Sequence, residues 1–299
     1  MPTSSVETPD HLWLVSMYPE NLRFFHALGL KDTETVYDPY QVVPRTGAGQ
    51  KDWAYVGRNP GEHDMTRGLL LLYKHAPVLP NTPSGTIHPV GIRVQGFIER
   101  VNMKPMGTWT PGKSAASALQ FWILNGGDHG DVFAGYKAAA QDTLAYIYKC
   151  LDVAPPTDND HDSESMFIAR RVFTKVTGSN KFLPDALERG DDPMGLCKSI
   201  EREWRVLSKC SIGMYLPDDY EQSDSAIVPC DGMALSEGDF VDVCVGFDIV
   251  NRRGRKGETN IQVHLKLEHV LLLAAAQDIS KDEDPLEPIS VQNPGLMFF

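Results

Sequence analysis

Long apolar runs, paired cysteines and the familiar catalytic signatures are all missing from this chain of 299 residues. No stretch approaches the apolar length that crosses a bilayer. The opening residues, MPTSSVETPDHLWLV, lack the basic start and apolar centre of a secretory signal. The expectation is an intracellular protein, cytoplasmic or nuclear, with no membrane partner. The five cysteines (Cys150, Cys197, Cys210, Cys230 and Cys244) are odd in number, widely separated and never spaced as CxxC. That argues against a disulfide framework or a cysteine zinc site and for reduced, buried thiols. There is no G-x-S-x-G elbow, no G-x-G-x-x-G, no HExxH, no kinase signature set and no internal repeat. No catalytic nucleophile, metal or cofactor is nominated, and a non-enzymatic binding protein is favoured.

Net positive charge is also missing, since 28 Lys and Arg face 40 Asp and Glu for a net charge of −12. The deficit is concentrated. Residues 152–164 carry five acids and residues 217–242 carry eight, with no Lys or Arg in either window, and residues 278–287 carry five acids against Lys281. These windows outweigh the whole deficit, so the remainder of the chain is net positive. Acidic runs of this kind ordinarily keep a surface solvated.

What the sequence does have is a pair of long alternating segments joined by a polar turn, GDFVDVCVGFDIV, NRRGRKGETN and IQVHLKLEHVLLL. Val241, Val243, Val245, Phe247 and Ile249 form one apolar row. Ile261, Val263, Leu265 and Leu267 form another, opposed by Gln262, His264, Lys266 and Glu268. Period-two alternation across a Gly-bearing link predicts two antiparallel strands with one face buried. Their tip carries Arg252, Arg253, Arg255 and Lys256. A second alternating run, PVGIRVQGFIERVNM, predicts a strand through Val90, Ile92, Val94 and Ile98.

Elsewhere the text is broken or helical. YPENLRFFHALG suggests a short helix, and residues 36–61 are too rich in Pro and Gly for a long one. The middle third reads as four helices. The first runs from Ser114 to Leu124 and the second from Asp131 to Leu151. The third runs from Ser163 to Val176, and the fourth opens with Asp192 capping Pro193 and continues to Leu207. The expected fold class is α+β: one domain over residues 1–299, built on an antiparallel sheet of OB-like or barrel-like form with a long basic-tipped hairpin. A helical section at 114–209 lies between strand regions 36–106 and 238–273, and an acidic tail spans 278–299.

Three constellations bear on function. The basic tip suits phosphate contacts, because Arg can make two parallel hydrogen bonds to one phosphate and OB-type loops grip single strands. Arg252, Arg253, Arg255, Lys256, Lys266 and Arg93 are the candidate nucleic-acid-binding residues. Arg100, Lys104 and Lys113 extend that surface, and Phe97, Trp109 and Phe240 are candidate stacking faces. The second constellation is GTWTPGKS, which matches G-x-x-x-x-G-K-[ST] and makes Gly107, Gly112, Lys113 and Ser114 candidates for phosphate binding. Against it, no apolar strand leads directly into the loop and no βαβ unit surrounds it. The third comprises the carboxylate and histidine clusters at 62–64 and 128–131, whose spacing matches no known metal motif. His264 and His269, five apart, are expected on opposite faces.

The first reading is a nucleic-acid-binding protein, for DNA or RNA and suited to single strands, using the basic arm. The alternative is an ATP- or GTP-binding enzyme using the GTWTPGKS loop. A further alternative is an interaction protein, even a homo-oligomer, with Val270 to Leu273 and the terminal GLMFF at subunit contacts.

Overall fold

The computed structural model describes residues 5–6, 43–44, 46–58, 69–75, 88–156, 164–178, 181–182, 184–188, 190–215, 227–253 and 259–279. In chain order it forms β1 (Ser5–Val6), α1 (Gly47–Trp53), β2 (Ala54–Gly57), β3 (Leu70–Tyr73), β4 (Gly91–Asn102) and β5 (Leu119–Asn125). Then come α2 (Gly130–Cys150), β6 (Met166–Arg171), β7 (Thr174–Lys175), β8 (Trp204–Arg205), β9 (Ser211–Tyr215) and β10 (Ile227–Pro229). The long pair β11 (Phe240–Arg253) and β12 (Thr259–Ala274) precedes a short α3 (Ala276–Ile279). The α+β class holds, with a large, mainly antiparallel sheet.

Five strands form a ring. β4 pairs antiparallel with β5, β5 with β6, β12 with β11, and β11 returns to β4. The circuit is completed between β6 and β12, which run parallel and meet at one bridge, Ala169 to Lys266. That seam leaves the ring only partly closed. Beyond it, β12 continues parallel to β9, and β9 carries β10 on its outer edge.

The ring's interior follows from alternation. Ile92, Val94 and Ile98 of β4, Trp122 and Leu124 of β5, Ile168 of β6 and Val241, Val243 and Val245 of β11 are almost fully buried. Each contributes roughly 1.5–3 kcal/mol by leaving water, with the indole at the upper end. The predicted helix from Asp131 exists as α2 and packs on this core through Phe133, Tyr136 and Ile147. Two phenols fasten it: Tyr146 donates to the Ala54 carbonyl at 2.8 Å, and Tyr148 accepts from the Val263 amide at 3.0 Å. Close packing explains Gly96, where a Cβ would stand 2.8 Å from the Asn125 carbonyl oxygen and 2.9 Å from the Phe133 ring.

Three of the four expected helices do not form. Residues 114–124 make one 3₁₀ turn at Ala115–Ser117 and then enter β5. Ser114 and the Gly pair at 126–127 resemble a helix cap and stop, but the aromatic and β-branched run Phe121, Trp122, Ile123 fits a pleated surface better. Residues 163–176 contain β6 and β7 rather than a helix. Asp192 opens no helix at Pro193: it accepts from the Leu196 and Cys197 amides at 2.8 Å each, and the 3₁₀ turn Leu196–Ser199 that these begin has Gly195 as its N-cap. That turn supplies Cys197 to a second, smaller core with Trp109, Val172, Phe173 and Val206. The expected helix at 19–28 and the tail beyond residue 279 lie outside the described residues.

Candidate nucleic-acid interface

The strands read as helices in the sequence carry an aromatic surface. On β5 and β6 the residues alternate about the sheet, so that Trp122, Met166 and Ile168 go inward while Phe121, Phe167, Ala169 and Arg171 go outward. Phe121 and Phe167 stand with ring centroids 5.7 Å apart and planes 32° from parallel. Phe167 is 53% exposed and, among the described residues, is the exposed large hydrophobic that lies within a strand. Keeping a phenyl ring wet forgoes burial free energy, so an exposed Phe167 stacked beside a half-buried Phe121 on a regular sheet is a feature to be explained by what it contacts.

Register places charge beside the rings. Phe121 pairs with Ala169, and Ala169 bridges to Lys266, so one row crosses three strands and ends on an ammonium. Lys266 also touches Glu268 at 2.8 Å, both side chains remaining more than a third exposed. Arg171 reaches Asp248 on the hairpin stem at 3.8 Å. Between β6 and the stem lies a cleft of about 430 Å³, bordered by Phe167, Arg171, Asp248 and His264, with Ser117 at its rim. Phe167 also borders a second cleft of about 360 Å³ running toward Lys137 and Gln141 of α2. The ring of Phe167 is thus a rib between two grooves.

The remaining nominated residues are distributed as follows. Arg252 and Arg253 end β11, paired in the backbone with Asn260 and Thr259, and Arg255 and Lys256 lie outside the described residues. Thr259 lies seven strand rises from Lys266, so at about 3.3 Å each the arm extends roughly 23 Å from the aromatic row. Arg93 points elsewhere. Its guanidinium bonds Asp242 at 2.5 Å, and Gln95 donates to the same carboxylate oxygen at 2.9 Å. Asp242 is 6% exposed, so Arg93 neutralises a buried carboxylate. Arg100, Lys104 and Lys113 are exposed. Of the aromatic residues expected to stack, Trp109 and Phe240 are buried, the former against Phe173 and the latter against Phe97. The solvent-facing pair Phe121 and Phe167 was hidden within segments that read as helices.

The GTWTPGKS segment lies between β4 and β5 and is followed by one 3₁₀ turn, Ala115–Ser117, and then a strand, not by an α-helix. Its amides are used internally: Gly107 donates to Lys104, Thr108 to Leu119, Trp109 to Met106 and Lys113 to Thr110. A phosphate cradle requires such amides to converge on the ligand at a helix N-terminus. Gly107 instead sits at φ +55° against Leu119, where a Cβ would come within 2.3 Å of the carbonyl oxygen. Its positive φ serves packing.

Histidine geometry also departs from expectation. Glu268 is an extra residue in β12, because Val245 pairs with Leu267 while Cys244 pairs with His269. This bulge inverts the alternation, so His264 and His269 fall on one face. They remain about four strand rises apart, too far to share one ion. Burial holds the His269 imidazole below its ordinary pKa. Among the described residues no cluster of His, Cys, Asp or Glu could hold a metal. The cluster at 62–64 lies outside them. Nor is any described helix long and apolar enough to cross a membrane.

Acidity near the hairpin is partly consumed inside. Asp239 is 2% exposed and accepts from the Ser236 and Ala276 amides, while Asp242 holds Arg93. Val270, Leu272 and Leu273, considered for subunit contacts, are buried in the chain's own sheet. Residues 295–299 lie outside the described set. Compared with known proteins, the chain matches no protein-family model, no curated protein and no solved structure.

Proposed function

We propose that this protein binds single-stranded nucleic acid without catalysing a reaction. Bases stack on Phe121 and Phe167, and phosphates meet Lys266 and the arm bearing Arg252, Arg253, Arg255 and Lys256. The observation that carries the reading is the aromatic pair of half-buried Phe121 and exposed Phe167 on β5 and β6, with Phe167 one strand away from a lysine and bordered by two grooves. Base stacking on an aromatic residue is worth about 1–3 kcal/mol and tolerates any sequence, because every base has a π-face.

The strand order supports it further. Counted along the chain, the ring strands β4, β5, β6, β11 and β12 run 1-2-3-5-4 around the circuit. This is the order of a partly open OB barrel, in which the face of strands 2 and 3 and the loops 1–2 and 4–5 take up oligonucleotides. Here those parts are the Phe121 and Phe167 face, the loop with Lys104 and Lys113, and the basic tip. Fold likeness alone does not assign activity, so the weight rests on the side chains.

The test is a titration of labelled single-stranded and duplex oligonucleotides with native protein and with a variant in which Arg252, Arg253, Arg255 and Lys256 are serine. Native protein is expected to prefer single strands at low salt. The variant is expected to bind more weakly and to lose about 0.7 from the log-log salt slope for each phosphate contact removed. Equal binding by the two proteins ends the role of the arm.

A further inference from the structure

We propose that the cleft between β6 and the hairpin stem is a base-reading subsite that selects guanine; this rests on the single-strand reading above. The cleft is lined mainly by apolar side chains, with the ring of Phe167 on its wall and, four residues further along β6, the guanidinium of Arg171 beside the carboxylate of Asp248. The two charged groups stand 3.8 Å apart, beyond hydrogen-bond distance, and each side chain is more than a third exposed. Each therefore keeps bonding capacity for a third party, the carboxylate as acceptor and the guanidinium as donor.

Guanine uses both in full. Its N1–H and 2-amino group present two adjacent donors, which one carboxylate can accept together, and its O6 and N7 are the preferred acceptors for arginine. Cytosine and adenine give a carboxylate a single amino donor, and thymine has no amino group at all. In a duplex the N1 edge of guanine is already paired, so this mode of reading belongs to single strands. The opening is a consequence of topology. β6 and β12 are in register only at Ala169 and Lys266, and the cleft lies beside that one bridge with Phe167 as its wall.

The experiment compares labelled oligothymidylates carrying one central guanine, inosine, adenine or cytosine, titrated with native protein, Asp248→Asn and Phe167→Ala, with guanosine monophosphate as competitor. The guanine strand is expected to bind about tenfold tighter than plain oligothymidylate. Inosine, which lacks only the 2-amino donor, loses most of that gain and requires no change in the protein. Asp248→Asn levels the four strands relative to one another, and an unchanged melting temperature shows that it folds. Phe167→Ala weakens every strand. Equal affinity of native protein for all four strands, or a guanine preference that survives Asp248→Asn, overturns the subsite and leaves strand binding standing. Failure of native protein to bind any strand overturns the broader reading as well. Guanosine monophosphate binding as tightly as the guanine strand makes the cleft a free-nucleotide pocket and overturns its assignment to a strand.

Discussion

The hairpin of β11 and β12 and the pair β5 and β6 are built from the same material, alternating strands with one face in the ring, yet they announce themselves differently. The hairpin has 14 and 16 residues in its arms, long enough for period-two alternation to be unmistakable. β5 and β6 have seven and six residues, and both flank helix-like punctuation. The comparison separates a region whose shape is local from one whose shape is imposed by neighbours. The tertiary partners of β5 are β4 and β6, and their ladders override Ser114 and Gly126 as helix signals.

The comparison is broken first by asking whether the two regions form one cooperative unit. Trp122 of β5 is fully buried, and Trp122→Ala is expected to cost about 3–5 kcal/mol. Urea unfolding followed by circular dichroism should show a single transition at lower midpoint. A second transition at the original midpoint would mean that the hairpin folds independently of β5 and β6. Nearly as large is Asp242→Ala, which strands Arg93 without its partner on the β4 and β11 ladder. Leaving a buried charge unpaired costs about 3–5 kcal/mol, whereas Asp242→Asn together with Arg93→Met should recover much of it. If Asp242→Ala alone is neutral in the same unfolding assay, the pair has no structural role.

Phe167→Ala should weaken single-strand binding by about 1–3 kcal/mol at a smaller cost in stability, since Phe167 is already 53% exposed. Loss of stability without loss of binding would make the ring a packing residue. The smallest effect concerns pH. Burial lowers the pKa of His269, so the unfolded chain takes up the proton before the folded one does. Stability contributed by the neutral imidazole is present above the unfolded value of 6.5 and is lost as pH falls from there through the depressed folded value. His269→Gln should flatten that slope in urea midpoints measured between about pH 7.5 and 5. An unchanged slope assigns the acid sensitivity to other groups.

How much of this was legible depends on the distance over which each feature is encoded. The hairpin, β4 and α2 are set by their own periodicity, and all three stand where the sequence puts them. What could not be read was which residues share a face once strands cross the ring. Nothing near Arg93 in the chain reveals that Asp242, 149 residues away, takes its charge. Nothing near Phe121 reveals that Phe167 lies beside it. The His269 face was hidden by one inserted residue, Glu268, because a bulge changes parity without leaving any composition signal. The alternation of Met166, Ile168 and Arg170 against Phe167, Ala169 and Arg171 was the available clue to β6. It was outweighed by the Ser163 cap.

The junction of β6 with β12 has a mechanical consequence. Every other contact around the circuit is a ladder of several rungs, so prising it apart means losing many hydrogen bonds together, whereas here a single rung must give way. Thermal breathing is therefore expected to be focused on one line of the wall, beside the phenyl rings, and the gap there can widen or narrow to suit an occupant while the rest of the partly closed ring keeps its shape.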